Sequence, residues 1–195
     1  SDGRFKKVLF DQDMIKSNRA FTIAKVKNKV KVVDSFISNG NESIIILTSI
    51  GRLFKFNLSN SSISPTTKQS QGLVLAKLLP GEKLVSSCKC TEKDSLYLVS
   101  QKGKFFEIKN NEIYSSIDSK LGYLHHNSDL KNDSYIKVLT NNKFLDLETN
   151  KNKSARVIFE KLDSKSNKNI LNLDFLTLDK DEYLENCFCH DNLII

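Results

Sequence analysis

The sequence predicts an all-β chain built as an array of about four small units, and three observations carry that prediction. A hairpin phrase recurs at a steady interval, β-branched and aromatic runs dominate, and no stretch sustains a helical stripe over three turns. The phrase Leu47-Thr48-Ser49-Ile50-Gly51-Arg52-Leu53-Phe54-Lys55-Phe56 returns as Leu98-Val99-Ser100-Gln101-Lys102-Gly103-Lys104-Phe105-Phe106-Glu107-Ile108. Gly51 and Gly103 lie 52 residues apart, and an earlier copy, Gly3-Arg4-Phe5-Lys6-Lys7-Val8, begins 48 residues before Gly51. A fourth copy reads Val138-Leu139-Thr140-Asn141-Asn142-Lys143-Phe144-Leu145-Asp146-Leu147, with Asn142 in place of the glycine. A period of this length marks supersecondary units too small to bury their own faces, which must stack on their neighbours.

Each element follows from residue type. Val30 to Asp34, Ser43 to Thr48, Arg52 to Leu58, Ser95 to Ser100, Lys104 to Ile108 and Ser134 to Leu139 are rich in β-branched and aromatic residues and read as strands. Polar clusters such as Ser38-Asn39-Gly40-Asn41-Glu42 and Asn57 to Ser62 separate them. Asp179 to Cys187 is read as one or two helical turns at most. Each turn glycine supplies a positive φ, which asparagine tolerates best among the other residues, so Asn142 is expected to close the fourth hairpin. The expected units are residues 1–42, 43–94, 95–136 and 137–195 of one domain, 1–195. The first residue is Ser and the first repeat begins inside its own hairpin, so the chain is expected to be a piece of a longer polypeptide.

Composition narrows the function classes. The chain has 195 residues, of which 39% are hydrophobic and 27% charged, enough for one sizeable domain or two small ones. The longest strongly apolar run, Ile44 to Leu47, is strand-sized and far short of the roughly 20 residues a bilayer helix needs. No membrane partner is expected, and no signal peptide is seen. Cys88/Cys90 and Cys187/Cys189 are spaced by one residue, tighter than paired zinc ligands, and fall in alternating strand-like sequence. They read as reduced, packed thiols of a cytosolic protein, with no metal expected.

The net charge of +7 is unevenly spread: residues 1–65 carry +6, residues 66–130 carry +2 and residues 131–195 carry −1. A basic N-terminal part suits a polyanion, although a lysine- and asparagine-rich chain also solvates well on its own account. A second periodicity favours the polyanion. Lys68 follows Gly51 by 17 residues, Lys120 follows Gly103 by 17 and Arg19 follows Gly3 by 16, while the fourth copy has no clear equivalent. A cation at one station of each unit would project from corresponding points of the array, as contact with a regular phosphate backbone requires. The candidate duplex contacts are Arg4, Lys6, Lys7, Lys16, Arg19, Lys25, Lys27, Arg52, Lys55, Lys68, Lys104 and Lys120.

These residues also carry a resemblance. Thr48 to Lys55, then Ile63-Ser64-Pro65-Thr66-Thr67-Lys68-Gln69-Ser70-Gln71-Gly72-Leu73-Val74-Leu75, then Leu79 to Val85, resemble one blade of the C-terminal domain of the DNA gyrase A subunit and its topoisomerase IV relative. The match is good over 43–109, moderate over 1–42 and loose over 110–195. The resemblance implies a propeller-like β-pinwheel whose blades exchange strands. It further implies a non-catalytic module that binds and bends duplex DNA without sequence preference and presents it for ATP-dependent strand passage. The implied partners are the rest of the topoisomerase A subunit and its ATPase B subunit, in the cytoplasm at the nucleoid. The glycine-rich, doubly basic box that gyrase carries on its first blade is absent, and Lys16-Ser17-Asn18-Arg19-Ala20-Phe21 is at most its relic. Either the blade with the box lies outside this chain, or the chain is a shortened relative of the topoisomerase IV type.

No catalytic residue and no cofactor are expected. Tyr97, Tyr114, Tyr123, Tyr135 and Tyr183 read as packing residues, and there is no phosphate-cradling glycine loop or nucleophile elbow. His125-His126 reads as an exposed polar-loop pair, and Asp179, Asp181, Glu182 and Glu185 as a solvated acidic cluster. The competing class is a propeller-like protein-interaction module with little or no affinity for DNA, suggested by the eroded later repeats and the acidic last third.

Overall fold

The computed structural model describes residues 1–9, 20, 22–58, 63–116, 122–125, 133–140, 144–159, 170–172 and 177–190. Lys16, Arg19 and Lys120 lie outside them, as do His126 and Asn142. Thirteen strands are present among the described residues: β1 (Arg4–Phe5), β2 (Ser43–Thr48), β3 (Arg52–Asn57), β4 (Leu73–Val74), β5 (Leu84–Cys90), β6 (Ser95–Ser100) and β7 (Lys104–Lys109), then β8 (Tyr123–Leu124), β9 (Tyr135–Thr140), β10 (Phe144–Thr149), β11 (Ser154–Ile158), β12 (Ile170–Asn172) and β13 (Leu184–His190). They form four antiparallel sheets, ordered β1-β4, β5-β2-β3-β8, β12-β7-β6-β9 and β11-β10-β13.

One rule generates these orders. Each hairpin (β2-β3, β6-β7, β10-β11) is flanked on its first strand by a later strand of its own unit, β5, β9 or β13. A short strand from each unit is then passed back to the hairpin of the unit before. Thus β4 pairs with β1, β8 with β3 and β12 with β7. Strand β9 packs against β5 and β13, and in the two four-stranded sheets one edge faces a neighbouring unit while the opposite edge receives the exchanged strand.

Stacking explains the apolar runs. Ile44 and Ile46 of β2 face one cluster with Phe54, Phe56 and Ile63, while Ile45 and Leu47 face another with Leu98, Phe106 and Tyr135. A strand covered on both faces reads as a continuous hydrophobic run rather than an alternating one. The third cluster joins Tyr97, Val99 and Phe105 to Leu145, Leu147, Val157 and Leu184. Each such aliphatic side chain, buried completely, contributes about 1.5–3 kcal/mol, so the seams between units hold the array together.

Three expectations need correction. Strands β9 and β10 do not pair with each other, so Val138 to Leu147 is not the fourth hairpin. That hairpin is β10-β11, and its turn residue at positive φ is Asn152 (φ 60°). Val30 to Asp34 joins no strand ladder, because the partner its counterparts find in β2, β6 and β10 has no equivalent among the described residues. Asp179 to Cys187 is a turn followed by β13, not a helix.

Candidate nucleic-acid interface

The loop that bears Lys68 is fixed at both ends by the unit before it. Before the loop, the Thr66 amide donates to the Lys7 carbonyl at 2.8 Å; after it, β4 pairs with β1, Arg4 lying opposite Val74. The next unit repeats the arrangement: the Ser116 amide donates to the Lys55 carbonyl at 2.8 Å, and β8 pairs Tyr123 with Leu53. Buried Ile63 and Ile113 anchor the approach to each loop. Gly72 and Gly122 permit the close return, because a Cβ would stand 2.4 Å from the Phe5 carbonyl oxygen and 2.8 Å from that of Leu53. Lys68, 17 residues past Gly51, thus lies on an arch between two docking points.

Two cations, Arg4 in β1 and Lys6 just after it, hold the first arch. Lys6 Nζ donates to the carbonyls of Lys68 (2.6 Å) and Ser70 (2.8 Å), and Arg4 Nη1 to that of Gly72 (3.1 Å). Burial lowers the Lys6 pKa. Lys68 itself is exposed, and Lys25 and Lys27 are exposed on the segment that follows. Lys7 donates to the Leu58 carbonyl at 2.9 Å and Lys55 to that of Asn110 at 3.1 Å, both half-buried. Lys104 is half-buried beside its hairpin turn. Arg4, Lys6, Lys7, Lys25, Lys27 and Lys68 are therefore carried by the first unit and the arch docked on it.

Arg52 does not belong to that surface. Its guanidinium lies over the Phe54 ring and is only 7% exposed, with Nε on Glu82 Oε1 at 2.8 Å, Nη2 on Glu82 Oε2 and Nη2 on the Lys77 carbonyl at 2.6 Å. Burial alone would raise the Glu82 carboxyl. Arg52, the Leu79 amide and the Thr48 hydroxyl outweigh it and hold the pKa below the usual range.

The sequence reading missed that this pair is one instance of a repeated latch. Thr48, Ser100 and Thr149 stand at the same β-bulge, and their hydroxyls accept the amides of Arg52, Lys104 and Lys153 at 3.1, 3.1 and 3.2 Å. Opposite lie Glu82, Asp133 and Glu182. Lys153 reaches Glu182 at 2.7 Å, and the Thr149 hydroxyl donates to Glu182 at 2.7 Å. The sequence signal was a hydroxyl four residues before each turn cation and a carboxylate about 30 residues after it.

Lys153 first, then Thr149, hold the Glu182 pKa down to about 2. A carboxylate with a depressed folded-state pKa stabilises above its unfolded value and loses that contribution as pH falls. Stability should therefore decline between about pH 4.5 and about 2. Urea midpoints of Glu182→Gln should change less across that window than those of the wild type.

The remaining candidates serve the fold. His125 donates its amide to the Gly51 carbonyl at 3.0 Å and places Nδ1 2.8 Å from the Tyr135 hydroxyl. It is part of the seam rather than an exposed loop residue, and burial lowers its pKa. Tyr97 and Tyr135 are buried, but Tyr114 is 81% exposed. Burial pushes the Cys90 thiol to about 11 and Cys187 to about 12. Among the described residues no three His, Cys, Asp or Glu side chains gather where they could hold a metal, and no helix is long and apolar enough to cross a membrane.

Hairpin units that pass a short strand back to their predecessors define a β-pinwheel, and the chain has that all-β topology. Solved structures share it. The chain superposes on the C-terminal domain of DNA topoisomerase IV with a TM-score of 0.78 at 17% identity over 96% of its length. The E. coli ParC C-terminal domain matches at 0.55 with 13% identity over 79%, and the DNA gyrase A C-terminal domain at 0.55 with 13% identity over 95%. The chain spans 58%, 64% and 56% of those three chains. No protein-family model and no curated protein matches the sequence.

Proposed function

We propose that this chain is a non-catalytic module that binds and bends duplex DNA through its phosphate backbone, as an accessory domain of a type IIA topoisomerase. The observation that carries the reading is the exposed Lys68 arch, docked at two points on a basic first unit, in a fold shared with topoisomerase IV and gyrase A C-terminal domains. In such an enzyme, a domain of this kind would act beside the cleavage core of the A subunit and the ATPase B subunit, holding DNA for strand passage at the nucleoid. The chemistry asked of it is electrostatic. Lysine and arginine displace condensed counterions from the phosphates, which favours binding without base reading.

Gel-shift titrations with duplexes of several lengths, at several salt concentrations, test the reading. If about five phosphates are neutralised, log K should fall against log salt with a slope near −4 to −5. Binding should strengthen with duplex length, as contact along successive units requires. Charge reversal at Arg19, Lys68 and Lys120 together should weaken binding, and unchanged affinity in that variant would reject periodic phosphate contact by these cations. The second reading, a protein-interaction module, draws on exposed Ile23, Val32 and Ile37 and on the acidic turn at Asp179. Duplex binding that is undetectable or insensitive to salt, with a protein partner retained, would favour it.

A further inference from the structure

In each of three units the chain makes the same turn just before the strand, or strand-like segment, that follows. The Val30 amide donates to the Lys27 carbonyl at 3.1 Å, Glu82 to Leu79 at 3.0 Å and Glu182 to Asp179 at 3.0 Å. The residue after each turn meets the preceding hairpin turn in the same way. The Ser1 nitrogen donates to the Lys31 carbonyl at 2.6 Å, the Ser49 amide to Lys83 at 2.9 Å and the Asn150 amide to Tyr183 at 3.1 Å. Lys27–Lys31, 79–83 and 179–183 are therefore equivalent stations at the turn ends of successive units.

Their chemistry differs sharply. Lys27, Lys29 and Lys31 give the first station +3; Glu82 and Lys83 cancel in the second; Asp179, Asp181 and Glu182 against Lys180 give the last −2. Val30 occupies the position of the latch carboxylates Glu82 and Glu182. Arg4, the counterpart of Arg52, is accordingly 29% exposed rather than 7%, and its acidic partner among the described residues is Asp2, at 3.3 Å. Lys25, Lys27, Lys29 and Lys31 are all exposed, and no ion pair joins them to another described residue.

We propose that this turn end is a further duplex-contact surface, with Lys27, Lys29 and Lys31 as its phosphate ligands, continuing the path that begins at the Lys68 arch. The inference rests on the DNA-binding reading above. Continuity favours it over an acidic peptide. Lys31 is tied to Ser1, Arg4 to Gly72 and Lys6 to Lys68, so the turn, the first strand and the arch form one basic surface on one unit. The duplex therefore crosses the end of the first unit and leaves before the equivalent acidic turn of the last, where like charge repels it.

The test is the salt dependence of duplex binding by the whole chain carrying Lys27→Gln, Lys29→Gln and Lys31→Gln, with unchanged circular dichroism as the folding control. Each lysine that contacts a phosphate contributes about one unit of slope, so the triple variant should be shallower than wild type by about 2 to 3. Lys180→Gln, at the equivalent station of the last unit, should leave the slope unaltered. A wild-type slope in the triple variant, with binding intact, overturns this surface and leaves the Lys68 arch standing. Wild-type chain that binds no duplex even at low salt rejects the underlying reading instead. Retention of polyglutamate, lost in the triple variant while duplex binding is not, would make the surface a protein-docking site and likewise overturn the proposal.

Discussion

Replacing Glu82 with alanine is expected to destabilise the fold by about 3–5 kcal/mol, the usual cost of stranding one member of a buried ion pair. Arg52 would keep its place over Phe54 and its bond to the Lys77 carbonyl but lose both carboxylate oxygens, and the Leu79 amide would lose its carboxylate as well. The comparison that isolates burial is Glu182→Ala. Its latch has the same geometry, but Lys153 is 47% exposed and can rehydrate, where Arg52 is 7% exposed. Urea denaturation should therefore show a large fall in midpoint for Glu82→Ala and a small one for Glu182→Ala. Equal losses would mean that the latch acts through turn geometry alone. Replacing both partners, Arg52→Met with Glu82→Leu, should recover most of the loss, since a well-packed apolar pair avoids the desolvation cost altogether.

The contrast also shows where a sequence stops being informative. The hairpins were legible because a glycine turn between alternating strands is a local pattern, complete within about a dozen residues. The exchanged strands were not. Leu73–Val74 and Tyr123–Leu124 are two residues long, and no periodicity can be read from two residues. What fixes them is distant: a glycine that can approach a foreign carbonyl and an isoleucine that anchors the approach. The fourth hairpin was misplaced because Asn141-Asn142 offers the same turn chemistry as Asn152, and only strand pairing chooses between them. The burial of Arg52 is illegible for a related reason. A cation's sign is visible in the sequence, but its exposure depends on whether a carboxylate is waiting some 30 residues away.

Gly51→Ala is the second large effect expected, and Gly81→Ala supplies its control. Both glycines sit at positive φ, +84° and +80°, so an alanine at either strains the backbone by roughly 1–2 kcal/mol. They differ in what a Cβ would meet. At Gly81 there is nothing within 4 Å, whereas at Gly51 the Tyr135 Cε2 atom stands 2.5 Å away. Tyr135 cannot easily yield. It is 1% exposed, its ring meets Phe106 edge-on at 5.8 Å, and its hydroxyl is held 2.8 Å from His125. Overpacking of a filled core adds about 1–3 kcal/mol, so Gly51→Ala should cost about twice as much as Gly81→Ala. Trimming the ring with Tyr135→Leu should remove that excess, leaving Gly51→Ala in the trimmed background as mild as Gly81→Ala. Coupling of this kind would place the cost at the seam between the second and third units. If Gly51→Ala costs the same in both backgrounds, the strain is confined to the turn and the seam tolerates the added methyl. The seam matters for the proposed function because each arch is docked across one. A shift at Gly51 moves His125, whose amide is bonded to the Gly51 carbonyl, and with it β8, the strand docked on the second unit.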